Sequence, residues 1–357
     1  STGRKRHLLP FWTYRRLIDK TLFKSGTYKS DVSMINWDSN DLRGKNIIDK
    51  SPAVQKKYLS LAKRVSLGFL YWLQTTAPRD DSTAIGYPEL KLRYDVLGTR
   101  DGLSKYPYIR EARRLAARLV VVAQDIVETD NPEARATLFP DSCGIGLYPV
   151  DIHGHQEIPG AAQQTKPFQV PLAALVSDYC PNYIAGCKNI GVTHITNGAY
   201  RLHPIEWAIG TAAGALASLA HRVKITPLSV VDQFYKTLLL QIALAESGAP
   251  IFWFDDLKAD HPAFAAAHVL AGSGMLPVDP DSLSFRPEEN VSAGEMAALT
   301  KNLSERMPQP NIWETAIPVL IEKTGGKRGE FVRAVLEKVK LSLKSEAIPV
   351  PEPMRQW

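Results

Sequence analysis

The stretch THITNGAYRLHPIEWAIGTAAGALASLA, residues 193–220, gathers His194, Arg201, His203 and Glu206 around the start of a run of small apolar side chains. Imidazole is the side chain that changes charge near neutral pH, so His194 and His203 are candidate proton acceptors. Arg201 offers a planar fork of donors for an anionic group. Pro204 suits the first turn of a helix, where unsatisfied N–H groups point outward at the positive end of the helix dipole. Such an end receives an anion, or an oxygen that gains negative charge. The polar loop from Thr193 to His203 adds donors around the same point, so the helix mouth is expected to face a cofactor.

A second group of candidates lies elsewhere in the chain. His153 and His155 follow the apparent strand CGIGLYPVDI, and His153 is a further candidate base. A His-x-His pair suggests a metal, but no carboxylate or cysteine partner stands at ligand spacing, and no metal is expected. The segment GYPELKLRYDVLGTRDGLSKYPYIREARR is polar yet rich in Tyr and Arg, a mixture typical of loops laid over a ligand. Tyr94, Tyr106, Tyr108 and Arg110 are its candidate substrate-side residues. Cys143, Cys180 and Cys187 are too few and too unevenly spaced for a disulfide framework or a zinc site, and their small or apolar neighbours predict buried free thiols.

These side chains need elements to hold them. Ser51-Pro52 predicts a helix running to about Pro78, with Ser as N-cap and Pro in the first turn. RLVVVAQDIV, CGIGLYPVDI, PFQVPLAALV and NYIAGCKNI read as short strands. The helix after Pro204 carries Gly210 and Gly214 four residues apart, which lets another backbone or a flat ligand approach closely. Its Leu and Ile are too few for a membrane span, and Glu206, His221 and Arg222 sit at its ends. Thr226-Pro227 starts another helix, ended by Gly248 and Pro250.

The bulk numbers narrow the class. The 357 residues, 45% of them hydrophobic and 22% charged, suit a globular protein of one large domain plus a smaller one. The net charge of +6 is mild, and much of it sits in the first 24 residues. No nucleic-acid motif accompanies that cluster, which reads as a solvated or partner-facing segment. No signal peptide is visible, and the opening at Ser1 reads as a cut, processed or tagged end.

Taken together, YIAGCKNIGVTHITNGAYRLHPIEWAIGTAAGALA resembles the C-terminal flavin-binding segment of FAD-dependent oxidoreductases, the family sometimes mislabelled xanthan lyase. Its flavin half is related to glutathione-reductase-type and fumarate-reductase-type flavoproteins. Ala185-Gly186, Thr193-His194, Arg201 and Pro204 follow the family order, as do the blocks FWTYRRLID, INWDSNDL, YWLQTTAPR, DSCGIGLYPVDIH and KPFQVPLAAL. The resemblance spans residues 8 to 255. It implies an α/β fold: part of a Rossmann-like FAD-binding domain with an inserted substrate domain over 1–255, and a small helical appendage over 256–357. It also implies that Gly186, Thr193, Asn197, Gly198, Tyr200, Arg201, Pro204, Ile205 and Glu206 bind the flavin. His203, His194, Arg201 and His153 would serve hydride-transfer chemistry on a small organic substrate.

One departure matters. The family's Gly-x-Gly-x-x-Gly turn, which holds the ADP half of FAD, is missing here: GTAAGA lies inside a helix, and GIGLYP lacks the third glycine. The expectation is therefore a chain that works with a companion N-terminal flavoprotein polypeptide, as a heterodimer or cleaved complex. The competing expectation is a scaffold subunit that keeps the fold without FAD. In the last hundred residues, HPAFAAAHVLAGSGMLPVDPDSLSFRPEENVSAGEMAAL is similar to one S-layer-homology unit. It suggests an exported bacterial protein and a packing appendage.

Overall fold

The computed structural model describes residues 15–35, 37, 40–79, 84–110, 112–154 and 160–345. Two units divide the chain, one of residues 1–110 with 153–160 and the other of residues 111–152 with 161–357. The chain therefore leaves the second unit after Ile152 and re-enters it at Ala161.

The first unit opens with a two-stranded ladder, β1 (Arg16–Ile18) against β2 (Val32–Ser33). Helix α1 (Pro52–Thr75) follows, with Ser51 as N-cap and Pro52 at its start, as the sequence predicts. It ends where Thr76 and Ala77 both donate to the Trp72 carbonyl, and the chain turns back through Gly86. That turn requires glycine: φ is +75°, and a Cβ would lie 2.4 Å from the Gln74 carbonyl oxygen. Tyr87 then donates to the Leu73 carbonyl, and Leu73, Ala77 and Tyr87 make a small core. Helix α2 (Tyr94–Leu97) is one turn, stopped by Gly98.

In the second unit β3 (Ser142–Gly146) pairs antiparallel with β6 (Phe168–Pro171), and β4 (Val150–Ile152) with β5 (Ala161–Gln163). Helices α3 (His194–Tyr200) and α4 (His203–Val223) follow. Helix α4 lies on β3, because a Cβ at Gly144 would meet the Ala208 Cβ at 3.0 Å and one at Gly146 the Ile205 Cδ1 at 2.7 Å. The predicted helix after Thr226 breaks at Asp232–Gln233 into α5 (Pro227–Val231) and α6 (Phe234–Glu246). Buried Gln241 on α6 donates to the carbonyls of Pro140, Ser142 and Gly272, tying strand, helix and the next helix together.

Helices α7 (Phe264–Gly272), α8 (Ala293–Arg306), α9 (Asn311–Lys323) and α10 (Arg328–Ser345) complete the unit. They do not stand apart: Phe264, Val269, Trp313, Val335 and Leu343 belong to the same buried cluster as Phe168 and Ile209. The FRP motif is an anchor, since the backbone N–H groups of Phe285 and Arg286 each donate to the Asp256 carboxylate at 2.7 Å.

Two expected strands do not form. RLVVVAQDIV makes one parallel bridge, Val121 to Val192, then a 3-10 turn over Ala123–Asp125 and one antiparallel bridge, Val127 to Thr165. NYIAGCKNI is irregular and holds its place by isolated bonds, such as Ala185 N–H to the Leu175 carbonyl. A strand needs a continuous neighbour to bond, and among the described residues neither segment has one. These segments contribute isolated bridges rather than ladders, and the described residues of the second unit carry far more helix than strand. The thiols are also corrected: Cys143 is buried, but Cys180 and Cys187 are exposed. No helix of the described residues is long and apolar enough to cross a membrane.

Candidate functional site: a helix mouth and an aspartate–histidine pair

The first candidate lies wholly in the second unit. Ala185 is buried while Gly186 and Cys187 are exposed, so the chain surfaces here before Gly191 dives beneath Leu119. Thr193 then caps α3 and exchanges hydrogen bonds with Thr196, whose hydroxyl donates to the Val121 carbonyl at 2.8 Å. Asn197 is 2% exposed, and its amide donates to the Lys188 carbonyl at 2.8 Å. Its Oδ1 is buried without a partner among the described residues.

Several predicted residues work as supports. Gly198 lets α3 lie on β4, since a Cβ would sit 3.0 Å from the Asp151 backbone. Tyr200 is fully buried, its ring 4.6 Å from Phe168 and its hydroxyl donating to the Gln169 carbonyl at 2.6 Å. Burial pushes that phenol well above its ordinary pKa, so it stays protonated. Arg201, 9% exposed, donates to the Asp151 carbonyl. These side chains point into the unit and brace the loop rather than line its surface.

The mouth of α4 is open. Leu202 at the N-cap supplies no side-chain acceptor, Pro204 occupies the first turn, and His203 and Pro204 are exposed. Ile205 is buried, whereas Glu206 reaches back to accept from the Cys187 thiol at 3.1 Å. Partial burial, then that hydrogen bond, raise the thiol pKa and keep it neutral. His194 is exposed on the first turn of α3. The sequence reading overlooked Trp207, 80% exposed and one turn on from His203; the signal was an aromatic four residues along a small-residue helix. Gly186 has room beside it, the nearest atom to a Cβ being the Ala213 Cβ at 3.6 Å, and Gly210 faces the Gly186 carbonyl at 3.5 Å.

The second candidate lies wholly in the first unit. His153 Nδ1 is 2.6 Å from Asp41 Oδ2, and Arg110 donates to the other carboxylate oxygen at 2.7 Å. The Arg110 guanidinium lies over the Tyr108 ring, 5.2 Å from its centre. All three paired side chains are about a fifth exposed, at 22% for His153, 20% for Asp41 and 17% for Arg110. Three predicted residues are therefore brought together, with Asp41 added. Tyr94 packs instead against Gly102, and Tyr106 is 82% exposed. Asp41 lies in the block INWDSNDL, but no spacing rule links positions 41 and 153. His155 lies outside the described residues.

A family model described as FAD dependent oxidoreductase matches residues 2–241, which covers both candidates. The chain belongs to that family. Neither curated proteins nor solved structures yield a match. The cofactor of this oxidoreductase is FAD, and its role is flavin-based redox chemistry. The match stops inside α6, so α7 to α10 lie beyond it.

The helix mouth fits that cofactor. An electron-rich ring edge wants N–H donors and positive potential, and α4 offers an N-terminus without a side-chain cap. A flat ring wants backbone without a side chain beside it, and Gly186 is exposed and has room. The orphaned Oδ1 of Asn197 is an acceptor awaiting a donor in the same loop.

Proposed function

We propose that this chain carries the ring-binding side of an FAD-dependent oxidoreductase that oxidises a small organic substrate by hydride transfer. The observation that carries this reading is the uncapped mouth of α4 beside exposed Gly186, within a segment matched by the family model. Bound FAD supplies the two-electron acceptor.

The chain's own residues do the rest. First-turn N–H groups of α4, from His203 and Ile205, stabilise negative charge at the ring edge, and Gly186 admits the ring. Thr193, Thr196, Gly198, Tyr200 and Arg201 hold α3 and β4 in register so that those donors stay aimed. Asn197, Pro204 and Glu206 complete the ring side, with Glu206 keeping the Cys187 thiol protonated. His194 and His203 are surface imidazoles on that side, available to hold or pass a proton. Tyr108, Arg110 and His153 form the substrate-handling group, with Tyr94 and Tyr106 on the same unit.

The ADP-binding Gly-x-Gly-x-x-Gly turn comes from polypeptide outside these 357 residues, so the working enzyme is a complex or a longer chain. Helices α7 to α10 act as a packing appendage, because they share the buried cluster of the second unit. The S-layer-like stretch gives no separate binding role in this reading, and an exported bacterial setting follows only from that likeness.

The test is mass spectrometry of natively purified material under native and then denaturing conditions. A further polypeptide carrying the nucleotide-binding turn, together with the mass of FAD, is expected. A lone 39.5 kDa species without flavin would overturn the catalytic reading in favour of a scaffold.

A further inference from the structure

Charge is divided unevenly between the two units. The first carries 21 Lys and Arg against 11 Asp and Glu, whereas the second carries 22 against 26. Such an asymmetry points to an anionic partner for the basic part. Helix α1 concentrates the excess: it holds Lys56, Lys57, Lys63 and Arg64 and no acidic residue among its 24. Lys63 pairs with Asp101. Lys56, Lys57 and Arg64 are exposed and have no side-chain partner among the described residues.

The same face turns apolar toward the end of the helix. Leu73 is the buried residue of α1, while Leu67, Tyr71 and Trp72 are 41%, 67% and 43% exposed. Spacings of seven, three and four residues place Lys57, Arg64, Leu67 and Tyr71 on one side of the helix. At 1.5 Å per residue the cationic start and the aromatic end lie about 20 Å apart along the axis. A second copy of this face would bring like charges together. A nucleic acid would satisfy the cations but give Leu67 nothing to bury against, and one face of the Trp72 ring is already stacked on Phe69, 5.6 Å between centres.

We infer that the outward face of α1 docks this protein on the surface of an anionic lipid bilayer. Lys56, Lys57 and Arg64 meet the phosphates of the headgroups, and Tyr71 and Trp72 settle at headgroup level with Leu67 buried beside them. The contact is interfacial, since α1 is not apolar enough to cross a membrane.

The experiment is sedimentation of the full chain with vesicles of phosphatidylcholine and phosphatidylglycerol in equal parts, beside vesicles of phosphatidylcholine alone. Binding is expected to the anionic vesicles and not to the neutral ones, and to weaken as salt rises. Lys56→Gln, Lys57→Gln and Arg64→Gln together are expected to lower the partition coefficient by about 100-fold, roughly fivefold for each cation removed, with the melting temperature held. Lipid brominated in its acyl chains is expected to quench the tryptophan emission of the wild type, and Trp72→Phe to remove most of that quenching. Failure to sediment with anionic vesicles, or equal binding by the wild type and the triple variant, overturns the role of α1. Tighter binding of a labelled oligonucleotide than of anionic vesicles, or quenching that persists in Trp72→Phe, overturns the lipid assignment. None of these readouts uses flavin, so they stand apart from the mass spectrum that tests the oxidoreductase reading.

Discussion

His153 in the first unit and His268 in the second show how one side chain takes opposite tasks. His268 on α7 is 2% exposed, and its Nδ1 accepts from the backbone N–H groups of Ile251 and Phe252 at 3.3 and 3.1 Å. The Phe264 ring lies 4.0 Å away and the Phe254 ring 5.8 Å. Burial pushes its pKa down to about 3, and its proton must sit on Nε2, because Nδ1 is occupied as an acceptor. His153 is partly exposed, and its Nδ1 lies 2.6 Å from the Asp41 carboxylate. Apolar walls and backbone donors hold His268 neutral in the core, whereas His153 keeps a carboxylate beside it and contact with solvent.

The comparison breaks first at His153. His153→Gln, which removes the imidazole beside Asp41, is expected to reduce turnover of the FAD complex by about 10²–10⁴-fold at a cost in folding stability of about 1 kcal/mol. Steady-state kinetics beside a denaturant melt check both halves, and a large loss of stability with little change in turnover would reverse the assignment.

His268→Ala should show the reverse pattern. Two buried N–H groups lose their acceptor and a cavity opens among phenylalanines, at a cost of about 2–4 kcal/mol. Urea unfolding followed by the tryptophan signal measures it.

The same residue gives a pH dependence. Between its ordinary value of 6.5 and about 3, His268 binds a proton in the unfolded chain but not in the folded one. Its contribution to stability is therefore complete above 6.5 and is lost as pH falls, by about 1.4 kcal/mol per unit within that window. His268→Gln should flatten this component of the unfolding midpoint against pH; an unchanged slope would show that other groups carry it.

The smallest effect separates the two units by their helix caps. Ser292 and Glu295 form a reciprocal capping box on α8, with the Ser292 hydroxyl 3.2 Å from the Glu295 N–H. Arg328 grips the same glutamate at 2.8 Å. Ser51 caps α1 at a longer 3.5 Å. Ser292→Ala should cost about 1 kcal/mol and Ser51→Ala less, read from denaturant midpoints.

Local signals were legible where a few neighbouring residues decide the outcome. Ser51-Pro52, Thr226-Pro227 and the proline at 204 each start a helix in the structure. Of the two glycines four apart on α4, Gly210 faces the Gly186 carbonyl at 3.5 Å, whereas Gly214 has nothing within 4 Å. The strands after Arg118 and Asn182 were misread because their apolar patterns are real but describe burial. Val121, Ile126 and Ile190 are fully buried without a ladder to join. Buried segments and strands share a pattern when the neighbour is unknown. Tyr200 and Gly198 looked like ring-lining residues for the same reason, since sequence position places them in the loop but not on its inner or outer side.

Sequence alone pointed to the family and to the starts of α1, α4 and α5, because those depend on residue type and short spacing. Only the tertiary structure paired Asp41 with His153, 112 positions apart, and sealed His268 under Ile251 and Phe252. A tautomer or a depressed pKa is set by the atoms within a few ångströms of a ring, and the chain brings those atoms together only when it folds.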